Sequence, residues 1–447
     1  MSGSLIPLMD YDKKRFNTSD VITPSINITE FVKVYKKKTF YSNIKFHVNN
    51  TTEANFGDNI SFSIVRYCDL ISNPIISLDL PLIYASNDTI LYWTYGIGYA
   101  LLENVEIIIG GFKILNYTGE WLNIWHETHF KDEKRREYDN LVGKFAGDGH
   151  QDGCIRTDIP TNPKYPNISM KLYIPLYTWF NDIYKPLILV ALQYYDVKIN
   201  IKLRNLEDLV NIKYNDIPTN PINPPNKLIC ETKQMKINLL MENNIYLDTE
   251  LRRLLCEGNH QQLIKQIKMY EFDVNNVDNS VNIDISCDIN EIYFAHRTIE
   301  HEQSGLKTCN IGNRWLNFGN NLNSIGHIYE DDTFNTCKIN YSKFDVITNE
   351  ARLFRMYDNH NNTPRIFNRV IPDSNKYFQY IYNYCLCSNP MSDDEITSYL
   401  PFRCNIELCI KYFENNNIIQ KYKLLVFVVS PNILVYSGGM CCVKYCS

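Results

Sequence analysis

A chain of 447 residues, 45% hydrophobic and 21% charged, carries enough apolar surface for packed cores and gives no compositional case for disorder. Its length exceeds what one core serves, so two domains are expected, and 32 tyrosines tilt the class toward β. A formal net charge of -5 argues against bulk contact with nucleic acid phosphates, so no direct nucleic acid binding is expected.

Residues 1–27 are polar apart from the run Leu5, Ile6, Pro7, Leu8, Met9, and they read as an N-terminal arm. No basic region precedes that short run, so it is not a secretory signal. Residues 28–46 follow, with Lys36, Lys37 and Lys38 better read as a solvated run than as a contact to acidic partners. Strand signals come at 59–67, 74–80 and 90–93.

The most informative stretch is 101–130. Val105, Ile107 and Ile109 alternate with Asn104 and Glu106, which is the period of a strand. Gly110 and Gly111 permit a tight turn, and Phe112, Ile114 and Leu115 bring the chain back as a hairpin. A short helix is then expected, with Glu120 in its first turn and Trp121, Leu122, Ile124 and Trp125 at helical spacing.

Residues 131–168 are polar and rich in Gly and Pro, which predicts a long loop. Strands are expected over 172–180 and 187–203. At the end of the second, Val197, Ile199, Ile201 and Leu203 alternate with Lys198, Asn200, Lys202 and Arg204, placing the latter four on a wet face. Residues 211–226 hold four prolines and few large apolar residues, so the domain boundary is placed there.

The second half is expected to open with a strand at 235–241, followed by helical pieces over 246–267, a strand within 283–296 and a long loop over 298–343. Alternation returns at Tyr380–Leu386 and Ile406–Tyr412. The most apolar run, 424–436, is interrupted by Ser430, Pro431 and Asn432 and is too short to span a bilayer.

Catalytic signatures are missing: there is no Walker A loop, GxGxxG after a strand, GxSxG elbow or HExxH helix. His126 and His129 flank Glu127 at a spacing that could ligate a metal, but on a packed helix a core or surface histidine is the better reading. His296 and His301, around Glu300, are read the same way. The 14 cysteines show no paired CxxC spacing and are expected to be mostly reduced, buried thiols. No catalytic, cofactor-binding or metal-ligating residue is therefore assigned.

The residues that fix the reading are Val105, Glu106, Ile107, Ile109, Gly110, Gly111, Gly119, Glu120, Trp121, Leu122, Ile124, Trp125 and Glu127. Their pattern resembles a stretch of the major capsid protein of the nucleocytoplasmic large DNA viruses. Further matches support the resemblance: Phe31, Tyr35, Thr39 and Phe40 near the start, Tyr246–Glu250 with Arg252 and Arg253, and Asn432, Leu434, Ser437, Gly439, Met440 and Tyr445 at the end. The segment SYLPFRCNIEL departs from the family by lacking a Ser-Gly pair.

The resemblance implies an all-β fold of two tandem eight-stranded antiparallel jelly rolls, a double jelly roll with short helices and long loop insertions. Expected boundaries are an arm at 1–27, the N-terminal jelly roll at 28–210, a Pro/Asn-rich linker at 211–226 and the C-terminal jelly roll at 227–447. It also implies a structural virion protein: a homotrimer forming pseudo-hexagonal capsomers of an icosahedral shell assembled in the host cytoplasm. Neighbouring capsomers, minor capsid proteins and internal membrane-associated virion proteins are the implied partners. Loops 131–168, 298–343 and 350–375 are expected on the outer surface and the arm inside. The alternatives are a related scaffold lining a membrane during assembly, and a jelly-roll sugar-binding or metal enzyme module.

Overall fold

The computed structural model describes residues 41–85, 91–129, 132–144, 170–181, 185–212, 228–230, 234–275, 279–285, 289–303, 313–318, 334–341, 344–354, 381–385, 404–411 and 421–445. The arm, the Lys36–Lys38 run, the segment 350–375 beyond Phe354, and most of loops 131–168 and 298–343 lie outside the described residues.

The principal strands of the first half are β1 (Tyr41–Ala54), β2 (Asn59–Ser63), β3 (Leu70–Leu80), β4 (Leu102–Ile109), β5 (Phe112–Tyr117), β6 (Met170–Pro175), β7 (Val197–Leu203) and β8 (Met235–Tyr246). They form two antiparallel sheets in the orders β1-β8-β3-β6 and β2-β7-β4-β5. In the second sheet Ile199 lies between Phe62 and Ile107, and Ile201 between Ile60 and Val105, all of them buried. Period-2 alternation thus turns one apolar row of each strand into one core.

The second half repeats this wiring. Its strands are β9 (His260–Asn275), β10 (Asn279–Ile285), β11 (Glu291–Thr298), β12 (Thr336–Tyr341), β13 (Phe344–Glu350), β14 (Ile381–Cys385), β15 (Cys404–Lys411) and β16 (Lys421–Ser437). The orders are β9-β16-β11-β14 and β10-β15-β12-β13, the same succession of first, eighth, third, sixth and second, seventh, fourth, fifth strands. Each half is therefore a jelly roll.

Several expectations change. Strand β8 was expected to open the second half, yet it pairs with β1 on one side and β3 on the other, so it is the closing strand of the first jelly roll. The stretch 211–226 accordingly precedes the last strand of the first half rather than dividing the halves. Within 131–168 the chain forms a helix at Asp132–Val142, and within 298–343 it forms β12, paired with both β13 and β15. Of the helical pieces expected over 246–267, only Thr249–Glu257 is helical; Leu263 and Ile264 lie on β9.

Strands β11 and β16 of the sheet β9-β16-β11-β14 are buried on both faces. Ile292, Phe294, Leu424, Val426 and Val428 pack into the second jelly roll's own core, while Tyr293, Ala295, Leu425, Phe427 and Val429 join the core of the first. Double burial explains the unbroken apolar run in β16, where a one-sided strand would alternate.

Candidate functional site

The helices of the first half are α1 (Ile97–Leu101), α2 (Gly119–His129) and α3 (Asp132–Val142), and α4 (Thr249–Glu257) follows β8. Helix α2 begins where the β4–β5 hairpin ends and lies between the jelly rolls. Its first residue is glycine because of a close approach: a Cβ on Gly119 would stand 2.0 Å from the Tyr99 carbonyl oxygen and 2.5 Å from that of Leu102. Trp121 is buried, meeting Tyr177 of the first half edge-on at 5.8 Å, Tyr293 on β11 edge-on at 5.4 Å and Phe427 on β16 at 5.4 Å. One ring thus spans the joint.

Beside it lies a buried ionic network. Glu120 Oε1 accepts from Arg204 Nη2 at 2.6 Å and from Arg297 Nη1 at 3.0 Å, so a carboxylate of the first half holds a guanidinium from each half. Arg297 also donates to Glu302, whose other oxygen meets Lys423 Nζ at 3.0 Å. Both guanidiniums stack on Trp315, at 4.0 Å for Arg204 and 5.1 Å for Arg297, while the indole N–H donates to the Asp208 carbonyl at 2.8 Å. Arg204, Arg297 and Lys423 face Glu120, Glu302 and Glu271, the last 3.4 Å from Lys423, so the charges balance along the network.

Burial alone would push the Glu120 carboxyl up, but the guanidiniums of Arg204 and Arg297 outweigh it and hold it down at about 2. Burial likewise opposes the charge on Arg297, and the carboxylates of Glu120 and Glu302 raise it regardless.

Polar contacts extend the joint along β9. Gln266 donates to the Ile114 carbonyl at 2.8 Å and accepts from Asn432 at 2.7 Å; Gln262 donates to the Pro186 carbonyl at 2.6 Å. Asn313 donates to the carbonyls of Glu207 and Val210 at 2.8 and 2.9 Å. Buried Asp69 accepts from the Tyr246 backbone N–H at 2.8 Å and pairs with Arg252 at 2.7 Å, fixing the passage from β8 to α4.

The histidines fall elsewhere. His126 is buried, its Nδ1 2.9 Å from the Tyr99 hydroxyl and its Nε2 3.4 Å from Asp139, while neighbouring Glu127 pairs with buried Lys144 at 2.9 Å. His296 packs against Phe334 and Tyr422, and burial pushes its pKa down to about 3. The side chains of His129, Glu300 and His301 lie outside the described residues. Of the described cysteines, Cys68, Cys337 and Cys441 are buried free thiols; burial raises the first and last to about 12, and Cys337 also upward.

Arg204, Arg297, Glu302 and Trp315 were not singled out from sequence. Arg204 was expected on the wet face of its strand; it is buried because β7 ends at Leu203, and the alternation ends with it. Arg204 continues the phase of the polar row, so only its place one step past the strand's end sets it apart.

Comparison with known proteins places this geometry. Residues 29–248 match the family described as major capsid protein N-terminus, a span that ends just after β8. The chain is similar in sequence to the major capsid proteins of nucleocytoplasmic large DNA viruses. Capsid protein 1 of Acanthamoeba polyphaga mimivirus is 29% identical over 279 residues, covering 60% of this chain and 44% of the relative. The major capsid protein of Phaeocystis pouchetii virus is 27% identical over 289 residues, covering 60% and 53%. The chain thus spans about half the length of the curated relatives it matches. Among solved structures, the PBCV-1 virus capsid superposes with a TM-score of 0.65 at 16% identity, covering 94% of this chain and all of that one. The Faustovirus major capsid protein gives 0.64 at 11% identity, covering 97% and 98%. At such identities these matches establish the fold, the double jelly roll of capsid proteins. The matched proteins are structural capsid proteins, not enzymes.

Proposed function

We propose that this chain is a major capsid protein that assembles as a homotrimer into pseudo-hexagonal capsomers, which tile an icosahedral virion shell. The observation that carries this reading is the pair of identically wired jelly rolls locked side by side through Trp121 and the Glu120–Arg204–Arg297 network. Two similar, rigidly joined lobes per chain give a threefold oligomer six lobes, and six-lobed units tile a hexagonal net. In this reading the first jelly roll ends at Tyr246, α4 is the connection, and the second begins at His260.

Contacts within the trimer are obligate, burying above about 2,000 Å2 per pair with an apolar centre. Those to neighbouring capsomers, minor capsid proteins and internal membrane-associated virion proteins are smaller and wetter. Assembly takes place in the host cytoplasm, with the arm facing inward.

Light scattering on the purified protein tests this: a trimer weighs about 158 kDa, three times the 52.5 kDa chain. Micrographs of that species should show flat pseudo-hexagonal particles. A stable, folded monomer at micromolar concentration would overturn the reading.

A further inference from the structure

The outer face of the sheet β1-β8-β3-β6 carries a cavity of about 730 Å3, within the size range of ligand sites. Tyr173 lines it from β6, on the face opposite the core residues Leu172 and Ile174, and β9 borders it through Leu263. Phe46, Trp125, Tyr138, Tyr177 and Trp179 make the rest of its wall strongly aromatic.

The wall is built around a double irregularity of the sheet. Ile44 pairs with Asn243 and His47 with Met241, so Lys45 and Phe46 together stand against Glu242. On the other side of β8, Leu240 pairs with Ile75 and Glu242 with Ser72, so Asn73 and Pro74 together stand against Met241. Two β-bulges thus flank one point of β8, and each places in the cavity wall a residue of positive φ, Phe46 at 52° and Asn73 at 50°. A bulky residue such as Phe avoids that conformation, and bulges gather beside binding sites, where they re-aim side chains. Glu242, which also lines the cavity, and the Asn73 side chain have no ion-pair or hydrogen-bond partner among the described residues. Lys185 and Lys265 line it as well but are already engaged, Lys265 with Glu291 at 3.4 Å.

These groups select the ligand by its chemistry. A cation would meet the two ammonium groups, and an anion would meet the Glu242 carboxylate. A purely apolar molecule would strip water from Asn73 and Glu242 without replacing its hydrogen bonds. A sugar ring has an apolar C–H face that lies flat on an aromatic side chain, and its hydroxyls both donate and accept, as an amide and a carboxylate require. We propose that the cavity binds a neutral oligosaccharide, one ring stacked on the aromatic wall and its hydroxyls held by Asn73 and Glu242. Phe46 is 60% exposed, so this part of the wall is reached directly from solvent.

The test titrates the full-length protein with maltotriose, cellotriose and chitotriose while tryptophan emission is followed, since Trp125 and Trp179 line the cavity. At least one trisaccharide should shift the emission saturably at millimolar concentration or below. Glu242→Gln and Phe46→Ala, neither of them in the core, should each weaken that binding about tenfold, with far-UV circular dichroism showing both variants folded. Tyr194→Ala, which removes a 73% exposed ring outside the cavity, should leave it unchanged. Silence toward all three sugars, a response to choline chloride or decanoate in their place, full-strength binding by both folded cavity variants, or an equal loss in Tyr194→Ala would overturn the proposal.

Discussion

Gly119, Glu120 and Trp121 are consecutive, and each is held by a different physical constraint. Gly119 faces backbone that cannot yield, so Gly119→Ala should cost about 3 kcal/mol, read as a lower urea midpoint at unchanged m. Glu120→Gln leaves two buried guanidiniums short of a countercharge and should cost about 3–5 kcal/mol, well above the loss for an exposed pair such as Lys202–Glu103. The network also sets a pH response. The Glu120 carboxyl is held at about 2 against 4.5 for the free group, so its contribution is complete above pH 4.5 and is lost as pH falls toward 2. His296, pushed from 6.5 to about 3, stays neutral in the fold while the unfolded chain takes up a proton, so stability also falls from pH 6.5 downward. Urea titrations at stepped pH should therefore show stability declining below pH 6.5, with His296→Gln flattening the portion between 6.5 and 4.5; an unchanged slope in that variant would refute the assignment. Glu120 was legible as a first-turn acid, but its partners lie 84 and 177 residues away, and no local pattern encodes such a pairing.

The β4–β5 hairpin and α2 were readable because their signals are local: a period of two, a Gly-Gly turn, then a period near 3.6. Helix α3 was taken for loop because its sequence, DEKRREYDNLV, is almost wholly polar, with few apolar positions to mark a buried face. Strand β16 shows the opposite case. Its apolar run is not a failed membrane span but a strand with two dry faces, the odd-numbered residues Leu425, Phe427 and Val429 toward the joint and the even-numbered ones toward the second core. It follows that Phe427→Asp and Val428→Asp should both abolish soluble expression, whereas Lys198→Asp on the exposed row of β7 should not. Soluble yield of the three variants decides the matter; tolerance of either β16 substitution would mean that face is not sealed.

Over the whole molecule, the class and the doubled architecture could be read from a few motifs, while the boundary could not. A proline-rich stretch resembles a linker wherever it stands, and only the pairing of β8 with β1 and β3 reveals that the first sheet is still open when the chain passes it. That register depends on residues some 180 positions apart, beyond any windowed pattern. Deleting residues before Ile28 should preserve the trimer's mass and reduce shell assembly; loss of the trimer would sink the assignment of the arm to the inner face. The central place of β8 also bears on synthesis. Until Tyr246 has emerged from the ribosome, β1 and β3 have a gap where their shared neighbour belongs, and β16 leaves the same gap between β9 and β11 until Ser437 is made. The nascent chain must therefore carry unpaired strand edges until each closing strand is made, which makes chaperone demand and aggregation during expression a property of the wiring rather than of any one segment.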